Sequence, residues 1–407
     1  MKKWFIGLLV LCLAAVVVVA LTGDKLFTEP VQLPQETHQV NDTPQTSAPE
    51  EGAAQAEDES EEASGVDYAA IYALHDPDEV VMTINGKEVL WKEYFYSYYS
   101  QAYSMEQYFQ RQQYQGQAMG WQSQAAEDGR SFIELLPEMA EENLSQIIVM
   151  EQTAEELQVS LLEEEEASVQ EAHAQNLEYF CGEGASDEEL FQMLWEERYL
   201  TEDLYWRVLR FGALNEATYR SLYGEGGELL SEEQVLTWLE ENGILSANHI
   251  LIPTVNLSTR EALDEATVQE KTELAQQLAQ ELQAIEDPVE REKRFLELKE
   301  LHDADGGAYV FGPGVMVQEF YDGTQALEPG QVSDPVLSVF GYHIILRRPL
   351  HADDVVTTAQ GSYAARGMAA DGLFSQMMTE RLDARKVEYA QGFEVPAILD
   401  YVNEATA

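Results

Sequence analysis

The spacing of apolar and polar positions changes several times along the chain, and each change marks an element. "MKKWFIGLLVLCLAAVVVVAL" is apolar without a break from Trp4 to Leu21, behind two lysines. Residues 22–66 turn to Thr, Pro, Gln, Ala and Glu. Order begins near Tyr68, where "VVMTINGKEVLW" (80–91) sets two short apolar runs around Asn85-Gly86, a hairpin signal. The aromatic-crowded stretch 92–115 and the stretch 132–157 have helical character, the second despite Pro137. Ser186 with Glu189 and Ser231 with Gln234 fit capping boxes, which predicts helix starts near Asp187 and Glu232; Asn242-Gly243 closes the second helix.

The texture then shifts to "ANHILIPT", a strand. A helix is predicted over 258–287, opened by Ser258 and Glu261, and Pro288 fits the first residue of another running to about Leu301. Glycine-dense "HDADGGAYVFGPGVMVQEF" and the strand-bearing "ALEPGQVSDPVLSVFGYHIILRRP" follow. Strand, helices, glycine-rich segment and strands make a small α+β domain over 246–350. The tail predicts a helix over 368–385 and a strand-like "KVEYA" at 386–390. A lone strand is not stable, so the hairpin at 80–90 is its expected partner. That pairing would join the first and last folded segments, with the α+β unit inserted. The expected plan is a membrane anchor or signal segment (1–22), a disordered acidic linker (23–66), a helical domain (67–245), the α+β domain (246–350) and a closing helix and strand (351–402).

Charge narrows the partners. The 407 residues hold 75 acidic and 23 basic side chains, a net charge of −52. Such a surface repels phosphate backbones and anionic lipid, which argues against nucleic acid and fits a heavily solvated exterior or basic partners. The run Trp4–Leu21, at about 1.5 Å per residue, gives roughly 27 Å of helix, barely a bilayer core. Lys2 and Lys3 would stay in the cytoplasm, placing the folded part outside it. An uncleaved anchor is favoured over a cleaved signal, and over a lipoprotein signal at Cys12, which lacks a small residue before it. The linker cannot bury enough apolar area to order itself and would hold the folded part off the membrane. Cys181 stands alone outside the apolar segment, so no internal disulfide forms there; it reads as a small hydrophobe rather than a nucleophile.

Candidate chemistry centres on two of the seven histidines, each placed where a strand would otherwise be apolar: His249 in "ANHILI" and His343 in "FGYHII". Those segments, with "GGAYVFGPGVMVQEF" and "ALEPGQVSDPV" between them in that order, resemble a parvulin-type peptidyl-prolyl cis-trans isomerase domain. The flanks resemble the PrsA- and SurA-like foldases of bacterial export, from the hairpin pattern at Val81–Val89 to the closing "KVEY" strand.

The resemblance implies an FKBP-like α+β domain inserted in a mostly helical chaperone domain, prolyl isomerisation, and no cofactor. It places His249 and His343 as a hydrogen-bonded pair under the active-site groove, in a catalytic role or as a tie between strands. Met316 and Phe320 would form the cup for the proline ring, with Phe311 and the strand of His343 as walls; ordinary core packing is the other reading. The acidic role falls to Asp303 or Asp305, and the family's customary serine is missing near His302. His302, Asp303 and Asp305 match no metal-ligand spacing, and the glycines beside them indicate a turn. Arg260 is alone in the loop after "HILIPT", too little for phosphate-directed substrates. Unfolded, proline-containing secreted chains are the implied partners, and a homodimer is an expectation from related foldases, although no coiled-coil repeat is present. Tyr94, Phe95, Tyr98, Tyr99, Tyr103, Tyr108 and Phe109 are either core or the lining of a client groove. A non-catalytic holdase, and a cell-surface spacer, are the competing functions.

Overall fold

The structure is a computed structural model that describes residues 65–126, 128–302 and 308–402. It is α+β and mostly helical, and divides into two units. One holds residues up to 218 together with those from 380 onward; the other is Tyr219–Thr379. The anchor, nearly all of the linker, Asp303 and Asp305 lie outside the described residues. No helix among the described residues is long and apolar enough to cross a membrane.

The first unit opens with helix α1 (Tyr68–Tyr72) and the expected hairpin, β1 (Val80–Ile84) and β2 (Lys87–Leu90). Asn85 and Gly86 both take positive φ, at 51° and 80°, which is what a two-residue hairpin turn demands. The closing strand β9 (Val387–Tyr389) pairs antiparallel with β1, giving the order β2-β1-β9, so the early and late segments do share a sheet. Over it pack α2 (Trp91–Tyr114) and α3 (Phe132–Glu156), followed by α4 (Glu163–Cys181), α5 (Asp187–Arg198) and the start of α6 (Glu202–Tyr223). The capping box at Ser186 is formed: its main-chain N–H donates to Glu189 at 2.7 Å and its hydroxyl accepts from the Glu189 N–H at 3.4 Å.

The aromatic residues of α2 settle as core. Tyr94, Phe95, Tyr98, Tyr99 and Phe109 are buried in one cluster, with Tyr103 and Tyr108 packed against it. Their hydroxyls find partners where the geometry allows, as Tyr98 does on the Pro396 carbonyl at 2.9 Å. Cys181 is half-buried among Leu177, Phe180 and their neighbours, and burial, then Glu189 and Glu197, raises its thiol above the ordinary value. A raised thiol is a poor nucleophile.

The second unit is built on a six-stranded sheet in the order β5-β6-β3-β4-β7-β8. Its strands are β3 (Leu245–Pro253), β4 (Ala308–Phe311), β5 (Val336–Ser338), β6 (Gly341–Arg347), β7 (Val355–Thr358) and β8 (Gly361–Ala364). All neighbours are antiparallel except β4 and β7. On one face, Ile250, Ile252, Ile344 and Leu346 meet α8 (Glu265–Gln283) and α9 (Pro288–His302) through Leu278, Leu282, Phe295 and Leu298. On the other, Leu245, Ala247, Phe311 and Ile345 meet Phe320 of α10 (Gln318–Gln325). Helix α7 (Glu232–Glu241), capped by Ser231 as expected, and α11 (Ala365–Asp383) enclose Val356.

One expectation is corrected, and one hairpin goes beyond those expected. The helix predicted from Ser258 starts at Glu265, because Asp264 caps it by accepting from the Thr267 N–H at 3.1 Å. The Ser258 and Thr259 amides instead donate to the Asn256 side chain, an Asx turn that holds 254–263 as a loop. The hairpin of β7 and β8 was not anticipated either. Its strands are four residues each and bury only Val356 fully, too weak a pattern to read beside the helical signals around it.

Candidate active site

The central strands β3 and β6 are buried on both faces, which is why their sequences run apolar rather than alternating. On the face toward α10, the period of two brings His249 and His343 to the same side as Ala247 and Ile345. Their Nδ1 atoms lie 3.0 Å apart, the rings within 14° of parallel, and both residues are buried. One Nδ1 donates and the other accepts, so the accepting ring carries no proton at Nδ1, the roles being inferred from the hydrogen bond. His343 Nε2 reaches the Ser338 hydroxyl at 2.7 Å, and the Phe340 N–H donates to the same oxygen at 3.2 Å. A chain of polar atoms is thereby satisfied inside an apolar layer, which would otherwise carry a desolvation penalty.

Phe320 forms the apolar neighbour of the pair. Its ring stands edge-on to both imidazoles, with centroids 5.1 Å from His249 and 5.3 Å from His343. It gets this close because α10 rides directly on the sheet at Gly323, where an added Cβ would sit 2.9 Å from Val336 Cγ2 and 3.2 Å from Ile345 Cδ1. Phe311, on β4, is fully buried against Phe320 with centroids 5.7 Å apart, so it lies beneath the site as floor. Met316 is half-buried and packs against the same cluster just before α10. Tyr309 of β4 stands edge-on to His249 at 5.7 Å. Farther along β6, burial lowers the Arg347 guanidinium from its ordinary value, against the opposing pull of Glu240.

The structure thus brings together His249, His343, Phe311, Met316 and Phe320. Asp303 and Asp305 fall in 303–307, outside the described residues. Three residues beside the pair were not singled out from sequence. Ser338 heads the very string that holds His343, and the hairpin of β5 and β6 folds it back onto the ring. Tyr309 follows Gly306-Gly307 by alternation. Lys299 is four residues beyond the buried Phe295 on α9, a core position, and a lysine at such a position is itself a signal. Its ammonium donates to the His249 carbonyl at 2.7 Å.

A central sheet with helices on one face, and on the other a short helix over a buried histidine pair joined to a serine, defines a parvulin-type domain. Residues 249–348 match the family model described as Rotamase, PPIC-type PPIASE domain. Among curated proteins, Foldase protein PrsA 4 of Bacillus cereus is 43% identical over 76 residues, 19% of this chain and 26% of that protein. Chaperone SurA of Nitrosospira multiformis is 31% identical over 114 residues, 26% of each chain. The chain spans about a quarter of the length of these curated relatives. A crystal structure of peptidylprolyl isomerase (PrsA) from Bacillus anthracis is 20% identical, covering 59% of this chain and 94% of that one, at a TM-score of 0.21, too low to add weight. The chain therefore carries a PPIC-type domain related to those of the PrsA and SurA foldases.

Proposed function

We propose that this chain is an exported foldase whose parvulin-type domain accelerates cis-trans isomerisation of X-Pro bonds in unfolded, newly secreted polypeptides. The observation that carries the reading is the His249–His343 pair, bonded to Ser338 and faced by Phe320, inside the segment that matches a PPIC-type domain. Prolyl isomerisation breaks no covalent bond and needs no cofactor. It needs the barrier of roughly 18–20 kcal/mol lowered by groups that favour the twisted amide, whose C–N resonance is lost. An apolar surface at Met316, backed by Phe320, orients the pyrrolidine ring and strips water from the amide. The imidazole–hydroxyl chain supplies fixed polar atoms that need not reorganise during rotation.

Export and tethering through residues 1–22, with the folded part outside the cytoplasm, belong to the same proposal and rest on the lysine-headed apolar run alone. Holding of unfolded chains by the helical unit is part of it too. The test is proline-limited refolding of a model protein by the full chain, beside Met316→Ala, Asp303→Asn and Asp305→Asn. Acceleration of the slow phase that Met316→Ala weakens supports the isomerase, and the aspartate variants identify which carboxylate serves. An unchanged slow phase with suppressed aggregation sinks it and leaves a holdase.

A further inference from the structure

The four sheet edges among the described residues are not alike. In the first unit, β2 carries Lys87 and Glu88, and β9 carries Glu388. In the second, β5 is three residues long and follows Asp334 and Pro335. Charge, proline and shortness are the usual guards against an added strand. β8, the last strand of the six, has neither charge nor proline, and its residues after Gly361 are exposed. From Val355 to Ala370 the sole charge is Arg366, which Asp353 holds at 2.8 Å. In a chain of net charge −52 this is a neutral edge. The Ala365 N–H donates to the Asp354 carbonyl at 2.9 Å, and bonded pairs alternate in an antiparallel ladder. Val356 with Tyr363 and Thr358 with Gly361 are therefore the bonded pairs. Thr357 turns the other way, its carbonyl accepting from the Gly312 N–H at 3.0 Å on the β4 side. Its partner Ser362 thus turns its N–H and carbonyl outward, and the Ala364 N–H follows two residues on. Phe311 lies opposite Thr357 and Thr357 opposite Ser362, so these side chains share the sheet face of His249 and His343.

We propose that the β8 edge is a docking strand for an extended segment of an unfolded polypeptide, which adds to the sheet through the main-chain groups of Ser362 and Ala364. Main-chain pairing is indifferent to client sequence, which suits a foldase, and three such groups make a weak, releasable grip. A neutral edge neither repels acidic clients nor traps basic ones. A second copy is the poorer occupant, because pairing four-residue strands buries far less than the ~800 Å² per partner of a stable interface. Three strand spacings of about 4.8 Å put β8 roughly 14 Å from β3, a gap that about five residues of extended chain span. A client held there presents its nearby prolines to the histidine pair at raised local concentration. This deepens the foldase reading and rests on it only for that kinetic gain.

The full chain would be titrated into a fluorescent, uncharged peptide of alternating Thr and Gln, and into its twin N-methylated throughout. Anisotropy is expected to show binding of the parent peptide and none of the twin, which cannot pair as a strand. Ser362→Pro removes an outward N–H without touching the bonds to β7, and should weaken the parent peptide about tenfold. Turnover of a proline tetrapeptide, too short to reach from β8 to the histidines, should stay at the wild-type value, while acceleration of a long proline-limited client falls. If Ser362→Pro fails to fold, Ala364→Pro, which removes the other outward N–H, decides alone. Equal binding of the two peptides, or binding that neither proline variant moves, overturns the proposal. So does a wild-type dimer in sedimentation that Ser362→Pro dissolves, which gives the edge to a second copy. Peptide binding that Ser362→Pro weakens, in a chain that turns over no tetrapeptide, would sink the isomerase reading while the docking strand stands.

Discussion

His249 and His343 are bonded at 3.0 Å although neither is the other's partner in the strand register. His249 lies opposite Ile345, and His343 opposite Leu251, so the imidazoles meet on the diagonal of the β3–β6 ladder. Diagonal neighbours are within reach only of long or flat side chains, and two stacked imidazoles span the gap where a valine pair would not. The facing Nδ1 atoms are thus each other's partners inside the apolar layer.

Replacing both rings should cost less than the two single replacements added together. His343→Leu removes the partner of the His249 Nδ1 and one of the partners of the Ser338 hydroxyl, and about 1–3 kcal/mol of local stability should be lost. The double variant His249→Leu with His343→Leu should lose clearly less than the sum of the two singles. Amide hydrogen exchange in β3 and β6 reads this directly. Additive losses would mean that the bond contributes nothing to the fold.

The residue before Tyr342 permits the hairpin that delivers Ser338. Gly341 takes φ 139°, and a Cβ there would fall 2.3 Å from the Ile252 carbonyl oxygen and 2.7 Å from Pro253 Cα. Both obstacles are main chain and cannot swing away. Gly341→Ala should destabilise the second unit by about 3 kcal/mol or more and shorten the lifetime of its β6 amides. A wild-type thermal transition would show that β3 can yield at Pro253.

Much of this was legible in the sequence because local signals agreed with one another. Asn85-Gly86, the Ser186 and Ser231 caps and Pro288 each act within a few residues, and each formed its element where expected. The histidine pair was legible only through resemblance, since nothing local links positions on separate strands. Ser338 and Lys299 escaped because their roles depend on tertiary placement: the fold-back of β5 brings Ser338 to His343, and the packing of α9 brings the Lys299 ammonium to the His249 carbonyl. Ser258 misled because Asn256, two residues earlier, takes the Ser258 and Thr259 amides into an Asx turn, and Asp264 caps the helix instead.

The cup residues should separate by burial. Phe320 is 3% exposed, so Phe320→Ala removes core as well as site and should cost about 3–4 kcal/mol. Met316 is half-buried, and Met316→Ala should lower stability by under about 1 kcal/mol while reducing kcat/KM for a proline peptide about tenfold. Matched kinetic and thermal measurements test this. Equal losses of both kinds in Met316→Ala would make it core rather than cup.

In the first unit, acid stability should depend on one cluster. Arg207 of α6 bonds Glu93 of α2 and, at 2.8 Å, Glu151 of α3, while Lys87 of β2 holds Glu151 at 2.5 Å. Burial acts to raise the Glu151 carboxyl, but the bonds from Arg207 and Lys87 outweigh it and hold it below its ordinary value of 4.5. A folded carboxyl with a depressed pKa adds stability that is complete above its unfolded value and vanishes as pH falls through the folded one. The contribution of Glu151 should therefore be full above about pH 4.5 and fade below it. Glu151→Gln should flatten that acid limb in calorimetric scans. Arg207→Ala, which leaves two partly buried carboxylates without their cation, should cost about 3 kcal/mol at neutral pH. It should cost less in acid, where Glu151 takes up a proton. A loss independent of pH would assign the effect of Arg207 to packing of its stem instead of its charge.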